Sequence, residues 1–350
     1  ETSWPTYRAT PENNPRLTDT VGPEGSIEHA WELTAHYANP AVVDGTAYVD
    51  RANEIVAVDV VTGEVNWTYS SENEWSMTPT LLDGALYTFD RNGITAIDPL
   101  TGEYQWTDDA IGGGSLHAYD GVLYGVNTTN AYAFDPAERE VLWTAELPGE
   151  NPDWNAIEGT AVDGDRVYMI AVSGSLAAFD REDGEVQWSR KFSTSSTQEV
   201  GLNVGGSGVY LHQVGDSPRV RAVDPESGEN RWTKSVASGT CTPVVTADGL
   251  YLLEYLPDEQ AFVLGRYDPE SGDRQESFDA VSDDAGHQPV VVGDRLYHWS
   301  APETLTVVDL ANDEFAWTYE HDYEADSLPI VTPEAVLFRE DDMLHCLQSA

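Results

Sequence analysis

The stretch Ala57-Val58-Asp59-Val60-Val61-Thr62-Gly63-Glu64-Val65-Asn66-Trp67 returns throughout the chain and decides its fold. The same frame returns at residues 96–106, 133–143, 178–188, 222–232 and 307–317. A degraded copy lies at residues 266–276, and one more copy is split between the two chain ends. A fixed period of this length is typical of repeat architectures, in which each unit buries its apolar face against its neighbours. The repeat therefore determines the architecture before any single residue is considered.

Residues 78–106 indicate what one unit contains. Short apolar segments at 78–82, 85–89 and 94–97 are followed by a fourth that starts at 104, and Asp83-Gly84 is a strong hairpin signal between the first two. Four antiparallel strands in roughly 40 residues make one blade of a β-propeller. Aromatic residues recur in the second strand of eight units, at Tyr48, Tyr87, Tyr124, Tyr168, Tyr210, Tyr251, Tyr297 and Phe338. Eight such positions predict eight blades.

The chain ends predict how the ring closes. Residues 344–348 match a third strand, after which the sequence stops, and residues 29–33 match a fourth strand that nothing precedes. The N-terminal strand is therefore expected to complete the last blade, which leaves no open sheet edge at the seam. The predicted fold is all-β: an eight-bladed β-propeller of four-stranded antiparallel blades at 28–350, after an N-terminal extension at 1–27.

The Ala-x-Asp-x-x-Thr-Gly-x-x-x-Trp frame resembles the tryptophan-docking repeat of the PQQ-type eight-bladed propellers. That group includes quinoprotein alcohol dehydrogenases and the BamB-like assembly scaffolds. The resemblance covers about residues 28–350, and Trp4-Pro5-x-x-Arg8 also resembles the start of secreted or lipid-anchored archaeal members. It implies that each frame tryptophan packs on the Thr-Gly turn of the next blade, a structural role that fits the size and single N–H of the indole. The residues concerned are Trp31, Trp67, Trp106, Trp143, Trp188, Trp232 and Trp317.

The sixth unit departs from the frame. Glu276 replaces the tryptophan, and Arg266 replaces the small residue ten positions earlier. Because these positions face each other across a hairpin, the pair is predicted to form a cross-strand ion pair in place of the Ala–Trp contact. Decay of one repeat is the alternative.

The charge of the chain restricts its environment and partners. It holds 62 acidic and 17 basic residues, a formal net charge of −45, and only Lys191 and Lys234 are lysines. Such self-repulsion destabilises a compact state unless salt screens it. The composition predicts a protein of a saline medium, as in a halophilic archaeon, with hydrated cations at its surface; an acid-rich bacterial surface protein is the alternative. Binding to nucleic acid is disfavoured, because few cations are available to displace phosphate counterions.

Candidate binding residues lie outside the frame. The predicted loops between blades contain Trp75, Trp154, His287, His321, Asp322 and Tyr323, and His117, Asn203 and His287 lie near the first strands. Loop aromatics indicate a recognition surface, and residues near first strands are expected at the central channel. The alternatives are aromatics that cap blade junctions and histidines that are merely solvated. No metal site is predicted, because the acidic turns lack calcium-loop spacing.

These features predict a noncatalytic extracytoplasmic scaffold whose partner is another protein, bound through the loop-rich face. The resemblance allows a second hypothesis, a PQQ or other small-ligand binder or a dehydrogenase that uses the channel. It associates PQQ with a vicinal disulfide and calcium, but Cys241 and Cys346 are far apart in the sequence, so no cofactor is expected. No transmembrane segment is predicted; the resemblance implies that a lipid anchor could precede Glu1.

Overall fold

In the computed structural model, eight sheets form the blades of a propeller. The structure describes residues 3–5, 9–12, 14–18, 21–35, 39–51, 53–70, 79–90, 93–109, 116–126, 129–148, 157–171, 173–192, 200–213, 218–236, 243–256, 261–282, 289–301, 303–312, 314–322, 325 and 327–350. The described chain is β-strand and turn throughout and contains no helical segment with the length and hydropathy of a membrane span. The predicted all-β, eight-bladed fold is confirmed.

Each blade has its strands in simple order from the channel outward. Blades one to four contain β4 (Ala41–Val43), β5 (Thr46–Asp50), β6 (Glu54–Asp59) and β7 (Val65–Ser70); β8 (Thr80–Leu82), β9 (Ala85–Asp90), β10 (Gly93–Ile97) and β11 (Tyr104–Asp108); β12 (Leu116–Tyr119), β13 (Val122–Val126), β14 (Asn130–Asp135) and β15 (Glu140–Glu146); β16 (Ile157–Val162), β17 (Arg166–Ala171), β18 (Ser175–Asp180) and β19 (Val186–Lys191). Blades five to seven contain β20 (Val200–Gly205), β21 (Gly208–Gln213), β22 (Arg219–Val223) and β23 (Asn230–Ser235); β24 (Val244–Val245), β25 (Leu250–Leu256), β26 (Ala261–Tyr267) and β27 (Arg274–Ser282); β28 (Val290–Val292), β29 (Arg295–Ala301), β30 (Thr304–Asp309) and β31 (Glu314–Glu320).

The eighth blade joins the two ends of the chain. It contains β32 (Ile330–Val331), β33 (Ala335–Glu340), β34 (Met343–Ser349) and, as its fourth strand, β3 (Ile27–Thr34). The pairing of β3 with β34 is antiparallel and runs from Ile27 opposite Ser349 to Thr34 opposite Met343. The predicted closure of the ring by the N-terminal strand is thus present. Two shorter strands, β1 (Ser3–Trp4) and β2 (Arg16–Leu17), add to the inner edges of blades one and seven.

The frame tryptophans fasten neighbouring blades in the way that the resemblance implies. The indole N–H of each donates to a turn carbonyl of the next blade at 2.8–3.0 Å in five cases: Trp31 to Val60, Trp67 to Pro99, Trp143 to Arg181, Trp188 to Pro225 and Trp232 to Pro269. A β-bulge between the third and fourth strands positions the indole above the next turn, for example at Ala57/Val58. Aromatic packing and one hydrogen bond thus recur at each of these junctions.

The glycine of the turn makes this contact sterically feasible. A Cβ on Gly102 (φ +72) would lie 2.6 Å from a ring carbon of Trp67, whereas one on Gly84 (φ +78) would meet nothing within 4 Å. Both positions are left-handed, so an alanine at either costs about 1–3 kcal/mol in backbone strain.

We expect Gly102→Ala to destabilise the protein by about 1–3 kcal/mol more than Gly84→Ala, because only the former also displaces an indole. Denaturant unfolding of both variants measures the difference. In a Trp67→Ala background the two costs should become similar; if they are already equal in the native background, the turn glycine does not support tryptophan docking.

Two junctions differ from this pattern. Arg139 (φ 57) stands where five other turns have a glycine with positive φ, and its guanidinium lies 5.0 Å from the centroid of the Trp106 ring, a cation–π contact. The indole N–H of Trp317 is buried and has no hydrogen-bond partner among the described residues. Trp317 faces blade eight, in which no turn joins β34 to β3, so the usual carbonyl acceptor is not supplied there.

The sixth blade replaces its tryptophan with two contacts. Arg266 pairs with Glu276 in the register of β26 and β27, and its Nη2 lies 2.9 Å from Oε2 of Glu276. The aromatic contact is provided by Phe278, which is 3% exposed and lies 5.9 Å from the Tyr251 ring. Tyr48 and Trp67 have the same 5.9 Å separation in blade one. Phe278, two residues after Glu276, therefore takes over the packing role of the indole.

Candidate functional site

An N-terminal strap contacts the inner strands of several blades. We use this name for the described residues of 3–17. The strap begins by pairing β1 antiparallel with β4, and it ends by pairing β2 in parallel with β28. The contacts between these ends reach several other blades. The strap therefore occupies the end of the central channel at which the inner strands turn into the second strands.

Carbonyl groups of the strap accept hydrogen bonds from the inner strands. The donors are backbone N–H groups at the ends of blades two, four, five and seven: Leu81 to Pro5, Val162 to Pro11, Val204 to Glu12 and Val291 to Pro15, at 2.8–3.0 Å. Three of these four acceptors are prolines, which have no N–H that would need a partner inside the ring. The strap thus supplies acceptors for backbone N–H groups of the inner strands, and its prolines add no N–H groups that would need partners of their own.

Asn14 connects the strap to blade six through its side chain. The residue is buried, its Nδ2 donates to Val245 O at 2.8 Å, and its Oδ1 accepts from Val245 N at 3.0 Å. The amide therefore reproduces the pair of hydrogen bonds that a neighbouring strand would make. The sequence did not reveal this role, because the strap has no alternating apolar pattern.

Two residues that the sequence assigns to the channel lie between blades instead. His117 is 2% exposed in β12, and Asn203 is fully buried in β20. Each sits opposite the second-strand tyrosine of its blade, Tyr124 and Tyr210. Asn203 Nδ2 donates to Pro243 O of the next blade at 2.5 Å, which gives this side chain an inter-blade structural role.

A sequence signal could have identified this position. Residues opposite the tyrosine lie seven places before it, and the same position holds Ala41, Thr80, Ala161, Val244 and Val290 in other blades. Thr80 Oγ1 also donates to the next blade, to Leu116 O at 3.5 Å. A position that tolerates alanine and valine is primarily a packing position.

His321 belongs to an aromatic cluster at the junction of blades seven and eight. Its ring lies 5.3 Å from that of Trp299 and 5.0 Å from that of Phe338, and Trp299 is fully buried. Asp322 beside it is exposed. The remaining candidates, Trp75, Trp154, His287 and Tyr323, lie outside the described residues.

A second polar cluster, the seam cluster, lies where β3 meets β34. We define it as His29, Glu32, His345 and Glu340. His29 Nε2 lies 3.3 Å from His345 Nδ1, which lies 3.8 Å from Glu32 Oε2. His345 Nε2 lies 3.5 Å from Glu340 Oε2. Within the described chain, the first three residues could together ligate a metal ion, since their ligand atoms all lie within 4.8 Å of one another.

The buried imidazole of the seam cluster has a lowered pKa. Burial lowers the pKa of His345 below its ordinary value, the nearby His29 lowers it further, and Glu340 and Glu32 oppose both effects. Sequence patterns could not reveal the cluster, because its two histidines are 316 residues apart and meet only through the register of the closing strand.

The family model described as "Outer membrane protein assembly factor BamB" matches this chain over residues 25–200, 90–243 and 176–326. The chain belongs to this BamB family. The eight sheets and docked tryptophans described above are the structural basis of that match.

A curated BamB-family relative gives a shorter alignment. The outer membrane protein assembly factor BamB of Shewanella oneidensis is 26% identical over 155 residues, which are 42% of this chain and 35% of that protein. The chain thus matches about a third of the length of this relative.

Solved structures of two kinds share the propeller. BamB from Moraxella catarrhalis superposes with a TM-score of 0.66 and 12% identity, over 93% of this chain and 100% of that chain. The quinohemoprotein alcohol dehydrogenase ADHIIG of Pseudomonas putida HK5 gives a TM-score of 0.71 and 13% identity, over 99% of this chain and 80% of that chain. At these identities the likeness establishes the fold alone.

Proposed function

We propose that this BamB-family propeller is a noncatalytic, extracytoplasmic scaffold that binds another protein through its loop-rich face in concentrated salt. The family supports this role, since its model is described as an assembly factor. The solved relatives include alcohol dehydrogenases as well, so the choice between binding and catalysis depends on features of this chain.

The observation that carries the proposal is the N-terminal strap. Its strands β1 and β2 add to the inner edges of blades one and seven. Strand addition is a common mode of peptide recognition, in which backbone hydrogen bonds provide affinity and neighbouring side chains provide specificity. The chain thus contains an internal example of a blade edge that holds an extended segment, and we expect a partner to present an extended segment of this kind at the loop-rich face.

The cysteines of the chain disfavour PQQ as a cofactor. The resemblance associates PQQ with a vicinal disulfide, which needs two cysteines adjacent in the sequence; Cys346 is instead free and buried, with its Sγ 3.6 Å from Val60 O. Neither cysteine of the sequence has a cysteine neighbour. The residues present do not fit the group, and we derive no reaction through it.

Calorimetry with PQQ and Ca²⁺ in molar salt tests the choice between the two functions. The scaffold proposal predicts no saturable heat. Tight binding of one PQQ per chain would contradict it and would establish a quinone-binding protein.

The saline environment is a second part of the proposal, and it makes a measurable prediction. Because like charges repel over about 10 Å at 0.1 M salt but only about 3 Å at 1 M, the unfolding temperature should rise steeply between these KCl concentrations. Sucrose, which stabilises by exclusion from the surface without screening charge, is the control. An equal rise in both solutes would mean that charge repulsion is not the cause.

A further inference from the structure

We propose that His29, Glu32 and His345 bind one divalent transition-metal ion, of the Zn²⁺ class, which fastens the closing strand β3 to β34. The site would lie in the eighth blade, at the seam of the ring. It is independent of the proposed scaffold function.

The geometry of the three groups is close to that of a bound ion. Two nitrogen ligands on a tetrahedral Zn²⁺, each at about 2.0–2.1 Å, lie about 3.3 Å apart. His29 Nε2 and His345 Nδ1 have this separation, 3.3 Å. The Glu32 carboxylate lies slightly farther, at 3.8 Å from His345 Nδ1, and it is half-exposed, so it can close on the ion by side-chain rotation.

The strands, not loops, place these groups together. Glu32 lies directly opposite His345, and His29 lies opposite Leu347, so all three side chains share one face. The odd spacing of His29 and Glu32 is accommodated by the β-bulge between His29 and Trp31, which is the same bulge that docks a tryptophan in the other blades. Sites built on strands hold their ligands more rigidly than sites built on loops.

His345 is oriented as a metal ligand should be. Its Nδ1 faces His29 and Glu32, while its other nitrogen lies 3.5 Å from the carboxylate of Glu340. A carboxylate behind a ligating imidazole is the usual outer-shell arrangement, and it fixes the ring and its tautomer. Phe338 stacks on the ring at 5.1 Å and restricts its orientation.

The ligand set selects the class of ion. Two imidazoles and one carboxylate favour Zn²⁺, Cu²⁺ or Ni²⁺ over Mg²⁺ and Ca²⁺, which prefer oxygen ligands. A bound ion would reinforce the blade junction at which Trp317 has no hydrogen-bond acceptor among the described residues. Without an ion, the same two nitrogens can share a direct hydrogen bond, which is the competing explanation of their distance.

The test is a calorimetric titration of the chelator-treated full chain with ZnCl₂ in molar KCl. The matched variants are Glu32→Gln and Glu28→Gln, which remove exposed carboxylates; because of the bulge, Glu32 lies opposite His345 and Glu28 lies opposite Gln348, on the other face of the sheet. We expect one saturable site per chain, a loss of affinity of at least tenfold in Glu32→Gln and in His29→Gln, and no change in Glu28→Gln.

Thermal unfolding provides a second readout that does not depend on the heat of binding. Zn²⁺ should raise the unfolding temperature of the native protein and of Glu28→Gln, but not that of His29→Gln, and Mg²⁺ at equal concentration should not reproduce the effect. The proposal is overturned if no site saturates at one ion per chain, or if His29→Gln and Glu28→Gln bind Zn²⁺ equally well.

Discussion

Removal of residues 1–34 is expected to abolish cooperative folding, whereas removal of residues 1–26 is expected to leave a folded ring of lower stability. The longer deletion removes β3, which pairs with β34 along its length and contributes Trp31 to the junction with blade one. Loss of a tryptophan contact of this kind alone costs about 3–5 kcal/mol. The uncovered edge of β34 would also become a template for aggregation.

The two deletions distinguish the contribution of ring closure by β3 to stability from the contribution of the strap. Removing residues 1–26 eliminates the strap's hydrogen bonds to the inner strands, each worth about 1 kcal/mol, but leaves all eight blades complete. Guanidinium unfolding followed by circular dichroism, with size-exclusion chromatography, measures both outcomes. A monomeric, cooperatively unfolding protein without residues 1–34 would show that β3 is not needed for closure.

Phe278→Ala is expected to destabilise the protein by about 3–5 kcal/mol, while Arg266→Ala should cost less than about 1 kcal/mol. The phenyl ring is buried at the junction of blades six and seven, where it packs with Tyr251, Val291 and Leu296. The Arg266–Glu276 pair is about a third exposed, so water and salt screen it. Equilibrium denaturation in molar salt compares the two variants.

The comparison tests which residue replaced the missing tryptophan. Phe278→Leu is the conservative control and should recover part of the loss, because it restores apolar volume without the ring. If Arg266→Ala is as damaging as Phe278→Ala, the ion pair and not the aromatic ring maintains this junction.

The sequence predicted the architecture because the fold is periodic. Seven of the eight copies of the frame contain a tryptophan, and each of the eight units has a second-strand aromatic; eight such units therefore implied eight blades. The terminal strands could be matched as well, since residues 29–33 and 344–348 each resembled one part of a blade. Phe278 was missed because β27 carries an irregular register next to it, between Val263 and Leu264 of its partner strand.

The candidate positions were harder to predict because they depend on contacts between distant segments. His117 and Asn203 were expected at the channel, but propeller sheets are radial, so side chains of inner strands point toward neighbouring blades. The strap forms no regular pattern, since Pro5, Pro11 and Pro15 contact the blades through backbone carbonyls. The seam cluster requires a register that is known only once β3 is paired with β34.

The most direct test of the scaffold proposal is affinity isolation after cross-linking, in molar salt, from the cells that express the protein naturally. The loop-face variant is Trp75→Ala/Trp154→Ala. The matched control, Leu100→Ala/Tyr104→Ala, removes two side chains that are 85% and 56% exposed at the turn between the third and fourth strands of blade two. We expect one protein partner, recovered equally by the native protein and the control and at least tenfold less by the loop-face variant. Recovery of no protein above an untagged sample, or equal recovery by all three, would contradict it.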